Sequence, residues 1–213
     1  MTWHAKAKGA YSKTSTEAKE NAKEIYNLLN SKGWTLNAIC GMLGNLGAES
    51  GYNPWRWQND NIPSTNDSPY TNRGYGFTQF TPGGKYINDA RAKAISGYSP
   101  NLSNSPGTVN DAYAQMVFLD LYADYYPTET YPISYSLYKD SLDDVDLLAE
   151  VWLYNYERPG DPESTVETRR KNALYWYNYL SGETPEPPTP PTPPTPTKKK
   201  SKMPVWMMIK RRI

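Results

Sequence analysis

The chain has 213 residues, with 23 basic and 22 acidic side chains, one histidine and one cysteine. A lone His4 leaves a zinc centre or a Ser-His-Asp triad almost nothing to build from, and a lone Cys40 excludes an internal disulfide and fits synthesis in a reducing compartment. Seven of the basic residues fall within 198–213, so the remainder sets 16 basic against 22 acidic side chains and lacks a global basic footprint for nucleic acid.

The N-terminus, Met1 to Lys8, has no apolar h-region, so no signal peptide is expected. No run approaches eighteen apolar residues, and no membrane-spanning helix is expected either. Thr14-x-x-Glu17 predicts a capping box, followed by a helix with Ala18, Ala22, Ile25 and Leu29 on one face and Gly33 as its stop. Thr35 is the next predicted N-cap, for a helix with the stripe Leu36, Ile39, Leu43 and Leu46. Gly41, Gly44 and Gly47 recur along it. Glycine weakens a helix, so three at this spacing point to close backbone approach by a neighbour.

Residues 51–108 are rich in Gly, Pro, Asn and Ser, which predicts loops, short turns and room for a small hairpin. Helical periodicity returns over Val109–Tyr125, with Val117 and Leu121 as apolar positions. Ser141-x-x-Asp144 predicts a cap for a helix over Leu147–Tyr156, and Val166, Ala173, Tyr177 and Leu180 form a last stripe ended by Gly182. Residues 1–182 therefore read as one mainly α domain with a loop-rich or small β insertion that forms a cleft. Residues 183–197 form a Pro/Thr-rich polyproline II linker, rising about 3.1 Å per residue. Residues 198–213 form a basic-apolar tail, suited to a partner protein or an anionic membrane surface, or to no contact at all.

Tyr (19) and Trp (7) are abundant and Phe (3) is scarce. An apolar body with a polar handle suits stacking on sugars as well as core packing. Extending the stripe of the second helix by three residues lands on Glu49, at the mouth of the core. Burial and the negative end of the helix dipole would both hold a proton on this carboxyl, as a general acid requires. Downstream, Gly74-Tyr75-Gly76-Phe77-Thr78-Gln79-Phe80 offers a cleft wall. In it Gln79 can donate and accept hydrogen bonds, and Tyr75 and Phe77 can stack on sugar rings. Ser50, Trp55 and Trp57 are further substrate-binding candidates. Asp60 and Asp67 are candidates for a second carboxylate, and each also reads as an ordinary turn-forming Asp. Glu157-Arg158 reads as a structural pair that supports the cleft. Arg169 and Arg170 read as solvated or paired to acids.

Glu49-Ser50-Gly51-Tyr52-Asn53-Pro54 resembles the catalytic segment of lytic transglycosylases and goose-type lysozymes, and Gly76-Phe77-Thr78-Gln79 is similar to their downstream Gly-x-x-Gln motif. More specifically the chain resembles the phage tail-tip lysozyme family. The likeness is carried by Trp3-His4-Ala5-Lys6 with Gly9-Ala10-Tyr11, Gly44 to Pro54 with Trp57-Gln58, Gly74 to Pro82, and Tyr154 to Gly160. It implies a lysozyme-like fold that cuts the β-1,4 link between N-acetylmuramic acid and N-acetylglucosamine without metal or cofactor, with Glu49 as catalytic acid and Gln79 positioning the reacting centre. It also implies peptidoglycan and other tail proteins as partners, and a place in the virion after synthesis in the host cytoplasm. Water or the substrate's own C6 hydroxyl can complete the cleavage, so hydrolase and lytic transglycosylase both stay open. The rival readings are a non-catalytic glycan-binding or structural tail module, and a free endolysin acting at lysis; a peptidase is the weakest.

Overall fold

A computed structural model of the protein describes residues 3–61, 73–96 and 109–182. Asp67, the Pro/Thr-rich linker and the basic-apolar tail lie outside the described residues. The element order is α1 (Thr16–Asn30), α2 (Leu36–Glu49), α3 (Gly84–Ile87), α4 (Ala90–Ser96), α5 (Val109–Tyr122), α6 (Tyr135–Asp140), α7 (Val145–Trp152) and α8 (Val166–Ser181). The described part is mainly helical. No strand forms among the described residues; the insertion has two isolated bridges, Trp57 with Tyr75 and Tyr75 with Phe80, instead of the small hairpin. No described helix is long and apolar enough to cross a membrane.

The first helix starts one residue later than its capping box predicts. The Thr14 hydroxyl sits 3.0 Å from that of Ser12, and Ser15 takes over as N-cap by accepting from the Ala18 N–H. Ala18, Ala22, Ile25 and Leu29 are fully buried as expected, and Gly33 follows the helix at φ 94°. Thr35 caps α2 through its hydroxyl, 3.1 Å from the Ala38 N–H. In α5 the apolar stripe gives way to burial nearly all round, from Ala112 to Leu119, while Leu121 is exposed. A helix apolar on every side belongs inside the domain, where a one-faced stripe has no meaning.

Helix α6 carries no advance signal, being too short for a periodic pattern, yet Tyr138 is fully buried and donates to the carbonyls of Ala38 and Leu148. Ser141 closes α6 and leaves Asp144 at the N-terminus of α7. Helix α7 then stops at Trp152, where the predicted helix continues to Tyr156. Leu153–Glu157 widen into a π-helical turn, and Arg158 ends it in the left-handed region at φ 50°. Such turns insert an extra residue and re-aim the side chains that follow, which is why they recur at functional sites.

Helix α2 is the centre of the packing, against α1, α6, α7 and α8. Its glycines are what let the neighbours in. A Cβ at Gly41 would lie 2.7 Å from Leu148 Cβ, and one at Gly44 would lie 2.5 Å from the Arg169 carbonyl oxygen. A second, smaller core of Trp55, Trp57, Tyr75, Phe80, Tyr86, Ile87, Ala92 and Phe118 lies under the insertion.

Gly44→Ala is therefore expected to lower stability by about 1–3 kcal/mol through overpacking, despite alanine's better helix propensity. Gly160→Ala, where a Cβ meets nothing within 4 Å, should stay within about 0.5 kcal/mol of the parent. Urea unfolding of both variants checks the contrast.

Candidate active site

Glu49 ends α2, the most deeply packed helix, so the core fixes the position of its backbone. Its side chain is 22% exposed, at the mouth of the domain, and accepts a 2.8 Å bond on Oε1 from Arg169 Nη2. Arg169 is only 5% exposed. Its other terminal nitrogen donates to the Asn45 carbonyl at 3.2 Å and to Asn45 Oδ1 at 3.0 Å. Asn45 in turn donates to the carbonyls of Gly41 and Ala149. A buried guanidinium on α8 is thus satisfied by α2, and its charge is set against the one carboxylate at the end of that helix.

Three adjoining hollows form a groove past this carboxylate. One of about 250 Å³ is bounded by Glu49, Arg56, Gln58, Asn59, Gln79 and Thr81. The next, of about 180 Å³, shares Glu49, Gln79 and Thr81 and adds Thr78, Lys85, Tyr156, Glu157 and Arg158. A third, of about 500 Å³, shares Phe80, Lys85, Asp124 and Tyr156 with the second and runs on to Arg91, Phe118 and Tyr122. Glu49 stands where the first two meet. A larger hollow of about 620 Å³ lies elsewhere, among Asn37, Asp144, Arg170 and Leu174, and contains none of these groups.

Most of the Glu49–Pro54 motif builds a turn. Ser50 is fully buried, and its hydroxyl donates back to the Leu46 carbonyl. Gly51 has φ 57°, and a Cβ there would lie 2.2 Å from Ala10 Cβ. Tyr52 is buried and its hydroxyl accepts from Trp176 Nε1. Asn53 ties down the N-terminal segment by donating to the carbonyls of Lys6 and Gly9. Glu49 is the residue of the motif that borders the groove.

The wall segment is organised from α5. Gln115 accepts from the Phe77 N–H at 2.8 Å and donates to the Pro54 carbonyl at 2.6 Å. Asp111 accepts from the hydroxyls of Tyr75 and Tyr86 and from Gln115. Burial pushes the Asp111 carboxyl up, against these three hydrogen bonds. Trp55, Trp57, Tyr75 and Phe77 are all at most 1% exposed. Their rings fill the two cores and present no stacking face to the groove, which corrects their assignment as substrate-binding walls. The insertion has few aliphatic residues, so its aromatics have to supply its core. Gln79 borders both hollows at Glu49. Its amide donates to the carbonyls of Arg56 and Gly76, both at 3.0 Å, and braces the wall.

Asp60 accepts from the Gly9 N–H at 2.7 Å and from Arg56 Nε at 3.3 Å. The Gly9 bond first, with the Arg56 charge and bond, holds its carboxyl below the usual range against some desolvation. It borders none of the three hollows. Glu157 lines the second hollow with Glu49 and accepts a 3.1 Å bond from Trp152 Nε1. Burial, and then the charge of Glu49, pushes its carboxyl well above the ordinary range, against Arg169, the Trp152 bond and Arg158. Arg158 turns away to Asp124, donating to its carbonyl at 3.1 Å and to its carboxylate at 3.4 Å. Burial pushes Asp124 up, but the bonds from Tyr126 and Lys85, with the charges of Lys85 and Arg158, outweigh it and leave it lowered. The residues that sequence reasoning misses are Arg169 as the partner of Glu49, and Gln115 and Asp111 as the support of the wall. None of the three stands in a recognisable motif.

Residues 20–180 match the family model described as phage tail lysozyme. Morphogenesis protein 1 of Bacillus phage B103 is 31% identical over 163 residues, which is 76% of this chain and 40% of that protein. The chain therefore spans less than half the length of this relative.

Arg169→Met would leave Asn45 and Glu49 without their shared donor. A loss of about 3 kcal/mol is expected, as for removal of one partner from a buried pair, against less than about 0.5 kcal/mol for Lys171→Met on the exposed side of α8. Thermal or urea unfolding at neutral pH distinguishes the two.

Proposed function

We propose the following chemistry for this chain, which belongs to the phage tail lysozyme family: Glu49 is the general acid that cleaves the β-1,4 bond between N-acetylmuramic acid and N-acetylglucosamine in peptidoglycan. The observation that carries the reading is the position of Glu49, a carboxyl at the end of a packed helix and at the junction of two hollows of one groove. Glu49 gives its proton to the bridging oxygen, and the bond from that oxygen to C1 breaks with its electron pair leaving on the oxygen. C1 then takes either a water oxygen or the sugar's own C6 hydroxyl oxygen, and the proton released by that group returns to Glu49. The first path gives a reducing end and the second an anhydro-sugar.

Arg169 suits the step in which charge appears. As the proton leaves Glu49, a carboxylate forms 2.8 Å from a buried, pre-positioned guanidinium. Stabilisation that is strongest once the proton has moved lowers the barrier rather than the ground state. Gln79 acts here through the wall it braces, keeping the Gly76–Thr81 segment at a set distance from Glu49. The biological setting that fits is a virion component opening the cell wall locally during infection, with 183–197 as spacer and 198–213 as tether to other tail proteins.

The test is mass spectrometry of purified peptidoglycan digested by the full chain and by Glu49→Gln. The expected result is a loss of roughly 10²–10⁴-fold in muropeptide release by the variant, the usual worth of a general acid. Reducing ends in the parent digest mean hydrolysis, and anhydro ends mean transglycosylation. Intact glycan with both proteins would refute the enzyme and leave a glycan-binding tail module. Finding the chain in washed particles separates a virion protein from an endolysin.

A further inference from the structure

Glu157 is a carboxyl that the chemistry above does not use. It closes the π-helical turn after α7 and lines the same hollow of about 180 Å³ as Glu49. The charged and titratable groups facing this pair come from every side. They are Arg169 from α8, Tyr156 and Arg158 from the turn itself, Asp124 beyond α5, and Lys85 from α3. Lys85 and Arg158 both pair with Asp124, each at 3.4 Å. The guanidinium bonded into the pair is therefore Arg169, and its bonds go to Glu49 and Asn45. Glu49, Glu157 and Asp124 together face Arg169, Arg158 and Lys85, so coupling comes from proximity and not from a net charge: two carboxyls bordering one small hollow repel each other when both ionise. Like charges sharing a site titrate as a unit, and the state with one proton is favoured over a wide range of pH.

We propose that Glu157 is the positioning partner of Glu49: the two carboxyls hold a single proton between them, and Glu157 keeps that proton available for delivery through Glu49. The proposal rests on the reading of Glu49 as the acid. Glu49 stands between the Arg169 guanidinium, which bonds it at 2.8 Å, and the Glu157 carboxyl that lines the same hollow. Burial, and then the charge of Glu49, pushes the Glu157 carboxyl up, which makes Glu157 the holder of the shared proton in this proposal. Passing it to Glu49 ionises Glu157 and leaves the charge of the pair unchanged. The proton spent on the leaving oxygen comes back from the water or C6 hydroxyl that adds to C1, so each cycle begins and ends with one proton on the pair.

The experiment titrates the Glu157 side-chain carboxyl by ¹³C NMR in the full chain and in Glu49→Gln, and follows glycan cleavage against pH in the full chain and in Glu157→Gln. With the pair coupled, Glu49→Gln lowers the Glu157 midpoint by about one pH unit or more, because the charge that raises it is gone. Glu157→Gln shifts the alkaline limb of the cleavage profile downward by a similar amount, costing about fivefold or more at the pH where the parent is half-active on that limb. A Glu157 midpoint indifferent to Glu49→Gln overturns the proposal. So does a Glu157→Gln profile lowered equally at every pH, which is the mark of a structural or directly reacting group. If Glu157→Gln does not fold, the NMR arm decides alone. If the midpoint moves as expected but the parent leaves glycan intact, the shared proton stands, and the glycosidase reading falls with the catalytic use of the pair.

Discussion

The close approach of α8 to α2 at Gly44 is the contact on which the remaining geometry depends. With no side chain at 44, the α8 backbone lies so near that any Cβ there would meet the Arg169 carbonyl at 2.5 Å. The guanidinium of the same residue can then reach back to Asn45 and forward to Glu49, one helical turn apart on α2. A side chain at 44 would have to push α8 away from α2, and the backbone of Arg169 with it. Glycine in a helix interior costs roughly 1 kcal/mol of propensity. Here the cost goes into geometry at the site, because a buried ion pair is seldom more stabilising than an apolar substitute of the same shape.

The groove divides its work between rigid and irregular elements. Its helical side carries the groups of the proposed chemistry: Glu49 from α2, Arg169 from α8, and Glu157 from the turn that prolongs α7. Its other side is a loop wall whose own side chains mostly point inward. Gln115, on a helix buried all round, joins the two motif segments by bonding Phe77 and Pro54, and Asp111 anchors the Tyr75 and Tyr86 hydroxyls beside it. Loops can vary in sequence without moving a reacting group when the reacting group stands on a packed helix.

The sequence is legible where its signals are local. Thr35, the stripe Ile39-Leu43-Leu46 and Gly182 mark helix ends and faces by short-range rules, and extending that stripe leads to Glu49. The recurrent glycines of α2 correctly announce a close neighbour, without naming it. What stays hidden is non-local or competes with a stronger pattern. Arg169 lies 120 residues from Glu49, and an Arg beside another Arg on a polar helix reads as solvated or paired to an acid, with nothing to say which acid. The π-helical turn has no sequence signature, so Glu157 reads as a cleft-supporting residue at a regular helix exit, and its place in one hollow with Glu49 stays hidden. The aromatics of the insertion resemble a sugar-stacking wall because composition cannot tell a binding face from a small core short of Leu, Ile and Val. Their burial follows from what the insertion lacks.

The placement of the carboxyls also bears on how the proposed cleavage would finish. A hydrolase that inverts or retains by two carboxylates needs one free to act on the face of the sugar opposite the acid. Among the described residues, Asp60 is committed to Gly9 and Arg56, and Asp124 to Lys85 and Arg158. Glu157 stands on the helical side of the groove, in the same hollow as Glu49. Asp67, the other candidate second carboxylate, lies outside the described residues, so water and the substrate's own C6 hydroxyl are both compatible with the proposed acid. The C6 hydroxyl is already tethered near C1, and adding it intramolecularly gains the entropy advantage that a second carboxylate would otherwise have to replace.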